Sequence, residues 1–309
     1  MTRVLVTGGA GAVGSNLVTA LLRDGHDVIV LDDLSSGHRW LVPEGAHLVE
    51  GSVTSRDTLD RAFRHSPEFV FHLAALFANQ NSVEHPRRDL DVNGVGTLNM
   101  LERSHDAGVE KFLFCSSSCV YGPKPSMEEA DRDFLPETPY AFTKLLGEHY
   151  AEFWCRHHGL DVVTVRPFNV FGPGELPGQY RNVIPNFFDI ALRGEPLPIT
   201  GTGDETRDFT YVDDVVDGMK RAMFSQTEPG EVFNLGSGRE TRIIDLAERI
   251  NDLVGNPAGL RFLPRRAWDH VPRRVASIER ARSRLGYEPV TALDAGLERT
   301  FDWLRELRG

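Results

Sequence analysis

Tyr140 and Lys144 are the two side chains whose types and spacing most clearly suggest proton transfer. They lie four residues apart, so on a helix the phenol and the ammonium group would share one face. A free tyrosine titrates near pH 10 and is a poor base at neutral pH. A neighbouring lysine cation stabilises the phenolate and brings the tyrosine pKa toward the working range. The pair therefore predicts a tyrosine base. The alternative is a solvated pair on a helix surface.

Three serines, Ser116 to Ser118, follow an apolar run at 112–115 that has the composition of a buried strand. Small hydroxyl side chains at the carboxyl end of a parallel strand lie where ligands bind in such sheets. We expect one of these hydroxyls to hydrogen-bond the substrate oxygen that Tyr140 deprotonates. The alternative is that the serines only cap the end of the strand.

A glycine-rich turn follows the first apolar run and precedes an amphipathic stretch. Glycines at 8, 11 and 14 allow a tight turn, a close approach of the backbone to a pyrophosphate, and close packing of helix on strand. The free N–H groups of the following helix then face the anion. The expected cofactor contacts of this turn are Gly8, Gly11, Ala12, Val13 and Gly14. The alternative is a turn with a structural role only.

Asp32 and Asp33 end the second apolar strand, about 20 residues beyond the turn, where an acidic residue accepts hydrogen bonds from the adenosine ribose. A carboxylate at this point repels a 2′-phosphate, and no arginine follows Gly9 to offset it. The combination predicts NAD rather than NADP as the cofactor. We expect its oxidised nicotinamide to act together with Lys144 in lowering the Tyr140 pKa. Read alone, Asp32 would be a turn or helix cap.

The order of apolar runs predicts an α/β fold with a doubly wound parallel sheet. Short runs rich in branched and aromatic residues occur at 4–6, 28–31, 69–73, 112–115 and 162–165, spaced for intervening helices. Proline and glycine then become frequent, and helices are predicted at about 212–225, 242–254 and 291–307. We therefore expect a NAD-binding Rossmann domain over 1–166, with later segments able to cross back into it, and a smaller substrate domain over 167–309.

Composition excludes several classes of protein. The 309 residues carry a formal charge of −11 and no extended basic cluster, which argues against a nucleic-acid partner. No apolar run reaches the roughly 18 residues of a membrane-spanning helix, and the N-terminus lacks the pattern of a signal peptide. Three cysteines with no zinc-ligand spacing predict neither disulfides nor a metal site. A cytoplasmic enzyme without a membrane partner is expected.

The motifs occur in the order typical of one known family. They are GGAGAVG (8–14), VLDD (30–33), HLAA (72–75), SSSCVYG (116–122), YAFTK (140–144), RPFNVFGPG (166–174), RDFTYVDD (207–214) and FNLGSG (233–238). The chain resembles the extended short-chain dehydrogenase/reductase family over nearly its whole length. Within that family it is most similar to nucleotide-sugar 4-epimerases of the UDP-galactose epimerase type.

The resemblance implies a Rossmann domain that carries NAD and a C-terminal α/β domain that holds a nucleotide-diphosphate sugar, with UDP favoured as the nucleotide. It implies that Ser117, Tyr140 and Lys144 form the catalytic triad, and that Tyr140 and Lys144 also contact the cofactor. The further cofactor contacts that it implies are Ser52, Val53, Leu73, Ala74 and Ala75. The substrate contacts that it implies are Ser117, Asn169, Asn182, Val183, Pro198, Thr200, Arg207, Arg266 and Asp269.

The activity implied by the resemblance is reversible oxidation at C4 of the sugar. Tyr140, aided by Ser117, would remove the proton of the 4-hydroxyl while the C4 hydride passes to NAD. The 4-keto sugar would then rotate about its diphosphate bonds and accept the hydride on its other face. Family members commonly form homodimers through two helices, which correspond to about 86–107 and 140–158 here.

Two departures from the family pattern affect the adenine and the sugar. Ser52 stands where an aspartate often lies beside the adenine, which leaves more of that contact to Val53. Arg273 lies near the position that limits the size of the C2 substituent, where tyrosine or a small residue is more usual. It is either a substrate contact, for example to an acidic sugar, or a side chain turned to solvent.

Dehydration is the main rival activity. Relatives that perform 4,6-dehydration carry Asp-Glu directly after the catalytic hydroxyl residue, whereas this chain has Ser118 and Cys119. Cys119 would serve as an acid or base only with a shifted pKa, for instance in an unusual 5,6-elimination; otherwise it is a small buried filler. A decarboxylase that acts on UDP-glucuronate and a NAD-sensing regulator without turnover are two further alternatives, and the intact triad argues against the regulator.

Overall fold

The computed structural model describes residues 2–77, 79–124, 126–265 and 271–308. Its strands are β1 (Arg3–Thr7), β2 (Asp27–Asp32), β3 (His47–Glu50), β4 (Phe69–His72), β5 (Lys111–Cys115), β6 (Val162–Pro167), β7 (Val170–Phe171), β8 (Leu197–Thr200), β9 (Thr206–Arg207), β10 (Thr210–Tyr211), β11 (Val232–Leu235), β12 (Thr241–Arg242), β13 (Leu260–Leu263) and β14 (Arg273–Arg274).

The helices alternate with the strands as the sequence predicts. They are α1 (Ala12–Arg23), α2 (Arg56–Phe63), α3 (Asn79–Glu84), α4 (Pro86–Asp89), α5 (Gly96–Asp106), α6 (Pro139–Phe153), α7 (Val183–Leu192), α8 (Val212–Phe224), α9 (Ile243–Val254), α10 (Glu279–Leu285) and α11 (Leu293–Glu306). A π-helical segment, Leu90–Val95, joins α4 to α5, and a second one, Trp154–His158, extends α6. In the described ranges, no helix has the length and apolar character needed to cross a membrane.

Seven strands form the central sheet in the order β3-β2-β1-β4-β5-β6-β11, and every neighbouring pair is parallel. The chain first builds outward from β1 to β3 and then returns to place β4 on the other side of β1. The order therefore reverses between β1 and β4, which in open parallel sheets is the point where ligands bind at the carboxyl ends of the strands. The predicted α/β fold with a doubly wound sheet is confirmed.

The sheet is covered by helices on both faces, which explains why its strands are uninterrupted apolar runs. Neighbouring strand residues point to opposite faces. Val4 and Val6 thus pack in the core with Leu17 of α1 and Val215 of α8, whereas Leu5 packs in a second core on the side of α2, α5 and α6. Because α6 lies on this second face, its first turn reaches the carboxyl end of β5.

The last third of the chain contributes to both the sheet and a second group of elements. Strand β11 pairs with β6 at the edge of the central sheet, and α8 packs against β5 and β6. Small sheets of β12-β9-β14 and β13-β8, together with α7 and α9, lie beyond the carboxyl ends. The chain thus crosses back over the 166/167 boundary, as the sequence analysis allowed.

A buried ion pair joins α6 to β6 below the carboxyl ends of the strands. Nε and Nη2 of Arg166 donate to the two carboxylate oxygens of Glu148 at 2.8 and 2.6 Å, and the side chains are only 1% and 9% exposed. Nη1 of Arg166 donates to the hydroxyl of Tyr121 at 2.7 Å, and Ser116 donates to Glu148. One carboxylate therefore fixes the position of α6 relative to the loop after β5.

Removal of Glu148 is expected to destabilise the protein strongly. The Glu148→Ala variant leaves the Arg166 cation buried without its counter-charge, which costs about 3–5 kcal/mol of unfolding free energy. Urea unfolding followed by circular dichroism measures the loss. The matched control is Glu152→Ala on the same helix, because Glu152 pairs with Arg156 at the surface and such pairs contribute at most about 1 kcal/mol. Equal losses in the two variants would contradict the assignment.

Candidate functional site

A cavity of about 820 Å³ opens at the carboxyl ends of the central strands and extends toward β8, β9 and β14. Most of the residues that the sequence singles out line it. These are Gly8, Gly11, Ala12, Val13, Gly14, Asp32, Asp33, Ser52, Val53, Leu73, Ala74, Ala75, Ser117, Cys119, Tyr140, Lys144, Asn169, Asn182, Val183, Pro198, Thr200 and Arg207.

The turn between β1 and α1 has no space for side chains. Gly8 has a positive φ of 73°, and a Cβ there would lie 2.8 Å from the backbone nitrogen of Ala74. A Cβ on Gly14 would collide with the carbonyl oxygen of Gly8. Helix α1 begins directly after Gly11 without a side-chain cap, which leaves its first N–H groups to the cavity. This arrangement is suited to a pyrophosphate.

Asp32 ends β2 with its carboxylate held by the backbone. Its Oδ2 accepts from the N–H of Ala10 and its Oδ1 from the N–H of Leu34, both at 2.9 Å. Burial raises its pKa, and these two hydrogen bonds lower it. Each oxygen retains a second lone pair toward the cavity, so the carboxylate can still accept from a ribose hydroxyl. Asp33 is exposed and accepts from the N–H of Ser35.

A buried histidine positions the segment Leu73–Ala75. Nδ1 of His72 lies 2.8 Å from Oγ1 of Thr7, which itself accepts from the N–H of Ala74. Nε2 of His72 lies 3.1 Å from Oγ1 of Thr97. Burial lowers the pKa of His72 to about 3, so the imidazole stays neutral at physiological pH. It therefore links β1, β4 and α5 without adding charge beside the cofactor site.

Tyr140 and Lys144 lie on one face of α6, as their spacing predicts. Thr138 caps the helix by accepting from the N–H of Ala141 at 3.3 Å, and this places Tyr140 in the first turn. Nζ of Lys144 donates to the carbonyl of Cys115 at 2.8 Å and lies 5.8 Å from the centroid of the Tyr140 ring. Both side chains are buried, and both line the cavity.

Ser117 lies opposite the phenol at the start of the 3-10 turn Ser118–Tyr121. Its Oγ accepts from the N–H of Cys119 at 3.2 Å, and it forms a side-chain hydrogen bond with Tyr140 that lowers the tyrosine pKa. The serine that the sequence assigns to the triad is therefore the one that contacts the tyrosine.

The protein's own groups raise the pKa of Tyr140 well above its usual range. Burial is the main cause, Cys119, Cys115 and Asp89 add to it, and the hydrogen bond with Ser117 opposes it. Burial also lowers the pKa of Lys144. For the protein's own groups, the loss of water around the phenol outweighs the neighbouring Lys144 cation. The expected pKa shift toward neutral pH, which also requires the charge of an oxidised nicotinamide, stays a prediction for the NAD-loaded site.

Cys119 lies beside Tyr140 with its sulfur between two donors. Nδ2 of Asn79 donates to Sγ at 3.5 Å, and Nη1 of Arg274 donates to it at 3.7 Å. Oδ1 of Asn79 in turn accepts from Thr138 at 2.7 Å. The thiol is therefore connected to the cap of α6 rather than packed only among apolar groups.

The far wall of the cavity has groups suited to phosphate. Helix α7 starts after Asn182, whose side chain does not cap it, so its first N–H groups face the cavity. The buried carboxylate of Glu175 holds Asn182 by accepting from its backbone N–H at 3.0 Å and from Nδ2 at 3.1 Å. Arg207 on β9 also lines this wall. The N-terminal end of the α7 dipole and the Arg207 cation thus line the same part of the cavity.

The structure separates the two neighbouring arginines of β14. Arg273 is exposed and pairs with Glu240 at the surface, which favours the solvent-facing alternative over the substrate contact. Arg274 is buried and lines the cavity instead. Arg266 and Asp269, which the resemblance assigns to diphosphate and ribose, lie outside the described residues.

Sequence reasoning missed Arg274, Asn79 and Glu175. The sequence analysis selected the neighbouring Arg273 instead of Arg274. Successive side chains of a strand point to opposite faces, and the dipeptide Arg273-Arg274 does not indicate which of the two faces the cavity. Asn79 and Glu175 belong to no motif that we identified. Within the described ranges, no three His, Cys, Asp or Glu side chains are grouped to hold a metal ion.

Comparison with known proteins places this geometry in context. Residues 4–236 match the NAD dependent epimerase/dehydratase family. A UDP-glucose 4-epimerase from Mycolicibacterium smegmatis is 38% identical over 98% of each protein. The structure of an epimerase from Methanothermobacter thermautotrophicus has a TM-score of 0.97 and 50% identity, and the match covers 99% of this chain and 92% of that chain. A UDP-glucose 4-epimerase from Thermotoga maritima, solved with UDP-glucose, has a TM-score of 0.95 and 36% identity over 99% and 100%.

These likenesses extend over whole chains, and the matched family covers every motif from the glycine turn to β11. They confirm the expected resemblance, the enzyme class and NAD as the cofactor. The chain belongs to the NAD-dependent epimerase/dehydratase family.

Proposed function

We propose that this protein is a NAD-dependent 4-epimerase of a UDP-hexose or a related UDP-sugar. The observation that carries the proposal is the direct contact of Ser117 with a buried Tyr140, with Lys144 on the same helix face, inside a cavity bounded by a pyrophosphate turn and an arginine-bearing wall. The 4-epimerases among the similar proteins support it.

The residues of the glycine turn fit NAD. The backbone of the turn packs too closely for side chains at Gly8 and Gly14, and the uncapped start of α1 leaves N–H groups for a pyrophosphate. Asp32 is placed for the adenosine ribose. When bound, NAD supplies a hydride acceptor and, in its oxidised form, a positive charge. Lys144 is placed to bind the nicotinamide ribose, since its Nζ lies between the end of β5 and Tyr140.

The chain's own contribution is to hold and move one proton. Ser117 orients the 4-hydroxyl toward Tyr140, whose phenolate takes its proton and later returns it to the 4-keto oxygen. The free N–H groups of α7 and the side chain of Arg207 hold the diphosphate, so the sugar can turn about its phosphate bonds without leaving. Burial of the site excludes water, which would otherwise compete for the proton.

Dehydration stays the second candidate because of the contacts of Cys119. Two N–H donors, from Asn79 and Arg274, contact its sulfur beside Tyr140, where an acid–base group of a dehydratase would have to lie. Ser118 is no substitute for the acidic residue of 4,6-dehydratases, since a hydroxyl is a poor acid at neutral pH.

The deciding experiment incubates the purified protein with catalytic NAD and, separately, UDP-glucose, UDP-N-acetylglucosamine, UDP-glucuronate or dTDP-glucose. Product mass and NMR identify the reaction. An isomer with inverted C4 couplings supports epimerisation. A product lighter by one water, whose formation Cys119→Ser abolishes, would replace the proposal with dehydration. The matched inactive variant is Tyr140→Phe, which keeps the ring but has no proton to exchange.

The epimerase should lose activity as the pH falls, because the base form of Tyr140 is then depleted. The Ser117→Ala variant removes a hydrogen bond that favours the phenolate, so the Tyr140 pKa rises further and the acid limb of the kcat/KM profile moves to higher pH. At pH 7 we expect kcat to fall about 100-fold. Steady-state rates between pH 6 and 10 measure both effects.

The neighbouring Ser118→Ala variant is the control for this profile. Ser118 is equally buried and lines the same cavity, yet it is not among the groups that shift the Tyr140 pKa. Its acid limb should coincide with that of the unmodified enzyme. If both variants shifted the limb alike, the effect would come from loop packing and not from the Ser117 hydrogen bond.

We also propose a homodimer formed through the helices at 86–106 and 139–158. Four large apolar side chains are exposed on these packed helices, namely Leu90, Val95, Phe142 and Phe153. Phe142 alone is 58% exposed. An apolar group of this kind on adjoining helices is typical of a surface that a second protein covers.

Charge introduced on this surface should yield monomers. The double variant Phe142→Glu/Phe153→Glu places unpaired carboxylates in the proposed interface, and light scattering at micromolar concentration reports the mass. Phe262→Glu is the control, since Phe262 is similarly exposed but lies on β13. A monomeric mass for the unmodified protein would contradict the proposed dimer.

A further inference from the structure

Arg274 is a buried cation for which the described part of the chain supplies no anion. It is 9% exposed and lines the cavity. Its Nε has no hydrogen-bond acceptor among the described residues, and its Nη1 donates to the sulfur of Cys119 at 3.7 Å. Sulfur is a weak acceptor, and arginine keeps its charge inside proteins. A charge buried in this way is costly unless an anion joins it.

Other arginines of the chain show what such a partner looks like. Arg166 is buried still more deeply, at 1% exposed, and Glu148 neutralises it through two hydrogen bonds. Arg273, the preceding residue, pairs with Glu240 at the surface. Glu137 lines a small space beside Arg274, but it is exposed and forms no ion pair with it. The anion that completes Arg274 therefore has room to arrive from the cavity.

The guanidinium group lies at the catalytic end of that cavity. It contacts Cys119, which is close enough to Tyr140 to raise the tyrosine pKa. Asn79 holds the same sulfur and is itself held by Thr138, the cap of the helix that carries Tyr140. The positions of Arg274 and Tyr140 are thus linked through short contacts. A hexose whose C4 hydroxyl lies at Tyr140 has its C5 and C6 immediately beside that point.

We propose that Arg274 binds the C6 carboxylate of a UDP-hexuronate, so that acidic sugars are substrates of this enzyme. The inference rests on the proposed 4-epimerase function and specifies its substrate class. A carboxylate offers two oxygens in the geometry of the guanidinium fork, which satisfies Nε and a terminal nitrogen together. The diphosphate is the other anion of the substrate, and Arg207 of β9, in register with Arg274 of β14, lines the wall where the diphosphate is proposed to lie.

The experiment compares kcat/KM for UDP-glucuronate, UDP-galacturonate and UDP-glucose in the NAD-loaded enzyme and three variants. Arg274→Leu should lower kcat/KM for UDP-glucuronate by about 100-fold more than it lowers that for UDP-glucose. UDP-galacturonate should lose the same factor, because the equilibrium constant of an epimerisation in solution fixes the ratio of the two values. Arg274→Lys keeps the charge without the fork and should lie between.

Arg273→Leu is the matched control, because it removes the same charge from the same strand at the surface. It should leave all three sugars unaffected. Product mass and NMR accompany every assay, and calorimetric binding of UDP-glucuronate and of UDP-glucose to each variant gives a readout independent of turnover. The circular dichroism spectrum of each variant shows whether it folds.

Four outcomes are distinguishable. An equal loss for the uronates and UDP-glucose would assign Arg274 to the diphosphate and overturn the proposal. Turnover of UDP-glucose without turnover or tighter binding of either uronate would overturn it while the proposed function stands. Loss of carbon dioxide from UDP-glucuronate, abolished in Arg274→Leu, would keep the carboxylate contact but overturn epimerisation. If no UDP-sugar is converted, the proposed function fails, and the binding constants alone decide the role of Arg274.

Discussion

The buried pair of Arg166 and Glu148 is the interaction on which the catalytic arrangement depends. Glu148 lies one turn beyond Lys144 on α6, and its carboxylate accepts from Arg166 of β6 and from Ser116, which directly precedes Ser117. The distance between the tyrosine helix and the serine loop is therefore set by a single buried carboxylate. Ion pairs of this kind are costly to form but very costly to break, so the arrangement has few alternatives.

Burial also gives the site its electrostatic character. The phenol of Tyr140 is harder to ionise than a free tyrosine, and Lys144 is easier to deprotonate, because both groups have lost their hydration. Tyr140 therefore stays protonated in the empty site. It acts as a base when a further positive charge and a correctly oriented hydroxyl are both bound. Such coupling limits proton transfer to the loaded site, and His72, neutral and fully hydrogen-bonded, supports the cofactor wall without disturbing it.

Patterns that arise within a short segment were predictable from the sequence. The glycine turn, Tyr140 with Lys144, and the five strands from 4–6 to 162–165 each have a local physical signal, and the structure places them as predicted. Features that depend on the approach of distant segments were not predictable. Which of Arg273 and Arg274 faces inward depends on how β14 pairs with β9, and the net pKa shift of Tyr140 depends on burial by several elements. Strand β11 lies inside a motif, yet only the fold shows that it completes the central sheet.

The position of β11 also determines when the central sheet can be completed during synthesis. Asn234 on this strand accepts from the hydroxyl of Tyr121, the same hydroxyl that accepts from Arg166. During synthesis the first 166 residues emerge with the edge of β6 still open, and that edge closes only after a further segment of the substrate-binding half has left the ribosome. The cofactor-binding and substrate-binding halves therefore complete their folding together. Until then the nascent chain carries β6 as an unpaired edge strand, which is prone to aggregation.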